Sequence, residues 1–419
     1  MKSPFPILLL ALCEPARAIA LAGVITRLKL EIPHARITLV TTRASAEVFA
    51  DSPAVDELQA VDGAIFNLKA LGALAELSRR PWGLLVDIGP SMVSRMIRSK
   101  TRFIVNPNDP AGPLKQICQA LALKEADVTP RLEPSEEREG KAQALLDAGK
   151  LTAPILAMAP GAGWLGRRWP TERFAVLATR LMRDDGPFAA HSLVILGTEQ
   201  DRDTAVALAM ATPRAQVLEL TGKVDMLTAC AVLKRCAAFV GNDEIWLRLA
   251  AAAGVPTFGL YGPSDEGDAP PGDNMFAIRG PRSLADIKAY DPKLKLSVCH
   301  MLDLTIDKVY DGVEEVMARL APPPEPEVLP IEVVEVAEVV EVVEVAAADE
   351  DAEALSAMAS AETVSEGVET EAERVAPEAP VAPEGRAADV SGAESAVRAK
   401  VGRASATTDV EEPAHAEEF

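Results

Sequence analysis

Pro160-Gly161-Ala162-Gly163, followed by Arg167 and Arg168, can bring backbone amides and two guanidinium groups to one anionic ligand. Four further stretches share that character: Gly197-Thr198, Thr221-Gly222-Lys223, Gly241-Asn242-Asp243 with Glu244 and Arg248 just beyond, and Tyr261-Gly262-Pro263-Ser264-Asp265. Glycine lets backbone approach a ligand closely, and a helix N-terminus offers free N–H groups with partial positive charge. With arginine added, such elements suit a diphosphate, whose oxygens accept charge-assisted and bidentate hydrogen bonds. Taken singly, each stretch reads as an ordinary turn, with Asp243 as a helix cap. Their recurrence through one half of the chain is what points to a binding edge.

The elements that must position these loops are legible from hydrophobic runs. Ile7–Leu12, Arg36–Thr41, Leu58–Val61, Leu84–Ile88 and Phe103–Val105 are short apolar segments separated for the most part by helical patterns. The alternation pauses over the polar stretch Thr129–Gly140 and a helix predicted at Glu136–Ala148. It then resumes with Ile155–Ala159, Leu193–Leu196, Val217–Leu220, Ala238–Val240, Thr257–Leu260 and Met275–Ile278. Continuous Val/Ile/Leu runs are the mark of parallel strands buried on both faces. Strand–helix alternation with short connections predicts an α/β fold with two doubly wound parallel sheets of five or six strands, joined by a linker near 130–153. The five loops then fall at the carboxyl ends of consecutive strands in the second sheet, where ligands of such folds bind. The fourth of them leads into a predicted helix, Glu244–Ala253, and a last helix covers Asp303–Leu320.

Charge is unevenly placed. The chain has 419 residues and a net charge of −21, but residues 321–419 hold 25 acidic and 5 basic side chains, leaving 38 and 37 in residues 1–320. The acidity therefore says nothing about the folded part's ligand. Glu332, Glu335, Glu338, Glu341 and Glu344 recur every third residue, a period that fits neither helix nor strand. The rest of this tail is rich in Ala, Glu, Pro and Ser, and residues 321–419 are expected to stay disordered as a solubilising extension, with partner docking as the alternative. Five scattered cysteines without a CxxC or Cys/His cluster argue against a zinc site or disulfide framework and fit a reducing compartment. The first apolar run is short, follows a single Lys2 and has Leu12 where a signal peptide needs a small residue, so it is read as a strand. No run is long enough to span a bilayer.

In order, Pro160-Gly161-Ala162, Arg168-Trp169-Pro170 with Phe174 and Leu177-Ala178, Val194-Ile195-Leu196-Gly197, Thr221-Gly222-Lys223, Gly241-Asn242-Asp243, Leu249-Ala250-Ala251-Ala252, Gly254-Val255-Pro256 and Leu260-Tyr261-Gly262-Pro263-Ser264 resemble glycosyltransferase family 9, the ADP-heptose:lipopolysaccharide heptosyltransferases. The resemblance spans about residues 5–320 and is specific in the second half, weak in the first. It implies a GT-B fold: an acceptor lobe over 1–135 facing a nucleotide-sugar lobe over 150–320. It also implies transfer of a heptose-like sugar from a nucleoside-diphosphate donor such as ADP-heptose to a glycolipid acceptor of the lipopolysaccharide core, with no metal and no cofactor. The donor residues carried over are Gly161, Ala162, Arg167, Arg168, Thr221, Gly222, Lys223, Asn242, Asp243, Glu244 and Arg248.

Two positions depart from the family's pattern. Its phosphate loop reads Asp-Ser/Thr-Gly with a histidine five residues after the aspartate, whereas here Asp243 is followed by Glu244 and Ile245, and Arg248 stands at the histidine's place. Glu244 puts a like charge beside the expected phosphate, and an i,i+4 pair with Arg248 is the expected means of muting it. In the first strand–helix loop the family has Gly-Asp, the Asp acting as base toward the acceptor hydroxyl, and Ala16-Arg17 align there. Arg17 stays protonated and is no base; Glu14 is the only nearby carboxylate and the expected substitute, given a re-shaped loop. Three readings follow: a transferase with a rewired site, a relative that binds a sugar nucleotide or partner without turnover, and a scaffold with a vestigial pocket.

Residues 67–124 hold nine Lys and Arg (Lys69, Arg79, Arg80, Arg95, Arg98, Lys100, Arg102, Lys115 and Lys124) against three acids. This reads either as a solvated helix face or as attraction to a phosphorylated glycolipid at the inner membrane surface, the protein being cytoplasmic. With only Trp82 and Phe103 among these bases, nucleic acid is a poor fit. Sugar and acceptor choice is expected from loops at roughly 62–68, 106–113 and 262–274.

Overall fold

A computed structural model describes residues 3–61, 75–89, 91–109, 112–189, 192–212 and 216–320. The expected tail at 321–419 and the loop at 62–68 lie outside the described residues.

The first sheet contains β1 (Phe5–Ala11), β2 (Ala35–Thr42), β3 (Glu57–Val61), β4 (Trp82–Asp87) and β5 (Ser99–Ile104), all parallel, in the order β3-β2-β1-β4-β5. β1 is central because both its faces are apolar: Ile7, Leu8, Leu9, Leu10 and Ala11 are all buried. Odd-numbered Ile7 and Leu9 join the larger core, and even-numbered Leu8 and Leu10 pack with Trp82, Leu85 and Ile97 on the opposite face. The expected strand Phe103–Val105 is longer and earlier than its apolar residues suggest. β5 is an edge strand, so the alternating Ser-Lys-Thr-Arg before Phe103 is part of it, one face out.

The second sheet contains β6 (Ile155–Ala159), β7 (Ser192–Ile195), β8 (Gln216–Glu219), β9 (Ala238–Asn242), β10 (Thr257–Tyr261) and β11 (Met275–Arg279), parallel, in the order β11-β10-β9-β6-β7-β8. Each strand lies within a residue or two of its sequence-derived span, and the helix Glu136–Ala148 forms as expected. From β6 the chain winds outward through β7 and β8, then returns to β9 on the other side. The order therefore reverses between β6 and β9, as it does between β1 and β4 in the first sheet. In doubly wound sheets the crevice for a ligand opens at this reversal, past the carboxyl ends of the strands.

One cluster of buried apolar residues runs from Ile7 and Leu9 of β1 through Ala142 and Leu146 to Ala157 of β6 and Leu249. Helix Pro15–Ile19, which follows β1, packs against helix Ile245–Ala253, which follows β9. The two reversal points are thereby brought to one side of the molecule. No helix of the described residues is long and apolar enough to cross a membrane.

Candidate functional site

At the reversal between β6 and β9, two loops meet: residues 160–168 after β6, and 243–244 between β9 and helix Ile245–Ala253. Asn242, the last residue of β9 and 1% exposed, ties them together. Its amide nitrogen donates to the carbonyls of Pro160 (2.9 Å) and Gly161 (3.1 Å), and its carbonyl accepts from the Trp169 backbone (3.0 Å). Trp169 is itself buried, its indole N–H donating to Leu304 O at 2.9 Å. Asn242, read from sequence as a ligand-binding residue, thus has its amide occupied in shaping the loop.

Glu244 is the helix cap residue, with extended backbone (φ −136°, ψ −174°) and no side-chain bond to its own helix. Its Oε1 instead accepts from Gly163 N at 3.1 Å and lies 3.2 Å from Arg167 Nη2. The expected pairing of Glu244 with Arg248 does not form. A residue outside the helical dihedrals does not present its side chain in the i,i+4 register, so Arg248 turns to Asp243 instead, Nη1 to Oδ1 at 3.2 Å. That pair is close as ions without hydrogen-bond alignment, and the hydroxyl of fully buried Tyr261 lies against Arg248, likewise out of hydrogen-bond alignment. Burial, with Asp243 next in weight, raises the Tyr261 hydroxyl's pKa above the usual tyrosine range. Burial also raises the Glu244 carboxyl, against the opposing pull of Arg167 and the Gly163 N–H.

Two other expected donors, Arg168 and Lys223, are likewise engaged. Arg168 donates to Ala162 O at 2.8 Å, and Lys223 pairs with Glu219 across the end of β8. Thr221 is buried with its hydroxyl unpartnered. The glycines are as tightly constrained by protein as by any ligand. A Cβ on Gly161 would stand 2.1 Å from Asp201 Cγ, and Gly222 combines φ +67° with a Cβ position 2.4 Å from Glu199 Oε2. Asp201 escaped the sequence reading; its carboxylate accepts from Thr198 N and Oγ1, closing the turn against Gly161. An acid three residues after Thr198 is the capping-box spacing that could have revealed it.

At the other reversal point, Glu14 caps helix Pro15–Ile19. Its side chain and that of Arg17 are exposed, and neither has an ion pair or side-chain hydrogen bond among the described residues. Just before Glu14, burial pushes the Cys13 thiol up to about 11. Asp87, buried at the end of β4, is no rival base, because its oxygens accept from Gly89 N, Ser91 N and Ser91 Oγ. Among the described residues no group of His, Cys, Asp and Glu is arranged to hold a metal.

The chemistry open to this arrangement is anion binding. An amide N–H and a guanidinium from one loop converge on a single point at the start of a helix in the next, and a carboxylate occupies that point. Residues 114–289 match the family model for glycosyltransferase family 9 (heptosyltransferase). The chain is 30% identical over 169 residues to lipooligosaccharide heptosyltransferase 2 of Haemophilus influenzae, covering 38% of this chain and 47% of that protein. It is 30% identical over 122 residues to lipopolysaccharide heptosyltransferase 2 of Escherichia coli, covering 28% and 34%. The alignments thus span about half of the first relative's length and a third of the second's. Solved structures extend the likeness over the whole fold. A glycosyltransferase family 9 protein of Veillonella parvula superposes with TM-score 0.63 at 19% identity, covering 76% of this chain and 99% of that one. The E. coli ADP-heptose lps heptosyltransferase II gives 0.58 at 19%, covering 75% and 99%. The fold is accordingly GT-B, as the resemblance implied.

Proposed function

We propose that this chain, which belongs to glycosyltransferase family 9, moves a heptose-like sugar from a nucleoside-diphosphate donor to a lipopolysaccharide-core or related glycan. The acceptor is a glycolipid at the inner membrane surface, reached from the cytoplasmic side, with residues 1–135 forming the acceptor lobe and 150–320 the donor lobe. The observation that carries this reading is the convergence of Gly163 N–H and Arg167 on one carboxylate oxygen at the start of helix Ile245–Ala253. Hydrogen-bond donors that hold a carboxylate there also suit a phosphate oxygen, and the helix N-terminus favours the anion further.

In this scheme the donor diphosphate displaces Glu244 from Gly163 and Arg167. The acceptor hydroxyl attacks the sugar's anomeric carbon, the bond to the diphosphate oxygen breaks, and the leaving charge settles on these donors. Glu14, exposed and unpaired, takes the hydroxyl proton; Arg17, always charged, orients the acceptor's anionic groups. Transfer is tested by incubating the full chain with ADP-heptose and a truncated lipopolysaccharide-core acceptor. Glu14→Gln is expected to lower kcat by about 10²–10⁴ with little change in donor Kd. Donor binding without any product in the unaltered chain contradicts the transferase reading.

A further inference from the structure

Of the nine bases counted over residues 67–124, Lys69 lies outside the described residues, and the structure separates the paired from the unpaired among the rest. Arg80 is neutralised by Glu57 and Glu76, both at 2.6 Å. Between Asp87 and Asp109, however, the sequence has four bases and no acid: Arg95, Arg98, Lys100 and Arg102. All four are exposed, and none is ion-paired among the described residues, Arg102 only donating to the Ile97 carbonyl.

The fold gathers them on one side. Phe103 packs on the larger core, so by strand alternation Lys100 and Arg102 stand on the opposite face of β5. Helix Met92–Met96 covers that same face through Val93 and the following Ile97. The helix's outer side carries Arg95 with Met92 and Met96, which are 72% and 68% exposed and one turn apart. Charges on an edge strand often serve only to block strand-to-strand association. That purpose explains Lys100 and Arg102; it does not call for two bare methionines on the adjoining helix.

We infer that Met92, Arg95, Met96, Arg98, Lys100 and Arg102 form a surface that docks on an anionic lipid bilayer. The methionines enter the boundary between headgroups and acyl chains, and the bases lie against anionic headgroups. This extends the reading of a membrane-borne acceptor given above, and its test involves neither donor nor transfer. Binding must be local: the whole chain carries a net charge of −21, so its overall charge opposes an anionic vesicle.

The test is flotation of the full chain with vesicles of phosphatidylcholine alone or with one-third phosphatidylglycerol. The chain is expected to float with the anionic vesicles at low salt, not with the neutral ones, and to be released at about 1 M salt, where screening acts within about 3 Å. Each base removed is expected to weaken partitioning about fivefold, so R95Q/R98Q/K100Q loses on the order of a hundredfold. M92S/M96S is expected to weaken it severalfold while leaving the salt dependence. These side chains are exposed, so circular dichroism and thermal midpoint should match those of the unaltered chain. The proposal is overturned by no flotation with anionic vesicles, by equal flotation with neutral ones, or by unchanged binding in either variant. It is also overturned if M92S/M96S abolishes a self-association of the chain instead.

Discussion

Glu244 is the residue on which the account turns, because it sits where the donor's charge is proposed to go. Its carboxyl is held above the usual range chiefly by burial. Below that raised pKa the group is neutral and does not compete for Gly163 N–H and Arg167; above it the carboxylate holds both. Nucleoside-diphosphate affinity is therefore expected to rise as pH falls through the titration of Glu244. In Glu244→Gln the dependence should flatten toward that of the free nucleotide, as measured by calorimetry across the range. Like charges ~4 Å apart repel by up to ~4 kcal/mol at an effective dielectric of 20, so Glu244→Ser is expected to tighten ADP binding at least about tenfold at pH 8. Arg248 is expected to matter for stability through its pairing with Asp243. Arg248→Met leaves Asp243, 5% exposed, without its counter-ion, a loss of about 3–5 kcal/mol read as a lower thermal midpoint. Asp243→Asn in the same chain should restore part of it. From the sequence, the presence of a like charge at the phosphate loop was legible, but not its partner. Partner choice depended on Glu244 being a cap residue with extended dihedrals, and a one-residue shift of a helix start lies within the blur of any sequence reading.

At the scale of elements, the carboxyl edge of the second sheet is organised by Asn242 rather than by the glycines around it. Asn242→Ala removes three hydrogen bonds and leaves the Pro160 and Gly161 carbonyls and the Trp169 N–H unsatisfied, at about 1–3 kcal/mol for each group that stays buried. The expected outcome is faster amide exchange across residues 160–169 and weaker nucleotide binding, with exchange in β6 and β9 unchanged. Strand positions were legible because buried parallel strands are continuous apolar runs, and ten of the eleven strands among the described residues lie within a residue or two of such runs. β5 was cut short for the same reason inverted: an edge strand needs one apolar face only, so Lys100 and Arg102 hid it. Gly161 and Gly222 were recognised as positions of close approach, but what approaches each is a side chain, Asp201 and Glu199, that no local pattern in those loops records.

For the whole molecule, the relation between the two sheets rests on contacts far apart in sequence. Arg138 joins Asp51, at 2.8 Å, to Asp225, and Glu47 accepts from the backbone of Met226. Together with the apolar cluster that runs between the sheets, these fix how the Glu14 loop and the Glu244 loop lie relative to each other. None of these pairings was readable, because each partner alone is an ordinary charged side chain or backbone amide with no local pattern to mark it. The two-sheet plan was readable, because it follows from strand–helix alternation interrupted once. The central claim is that the point now held by Glu244 is a seat for the donor's diphosphate. The most direct test is calorimetric titration of ADP into the full chain, Glu244→Ser and Arg167→Ala at pH 8. Measurable binding to the unaltered chain is expected, with tighter binding to Glu244→Ser and at least about tenfold weaker binding to Arg167→Ala. ADP binding that is absent from both the unaltered chain and Glu244→Ser, or indifferent to both substitutions, would contradict it.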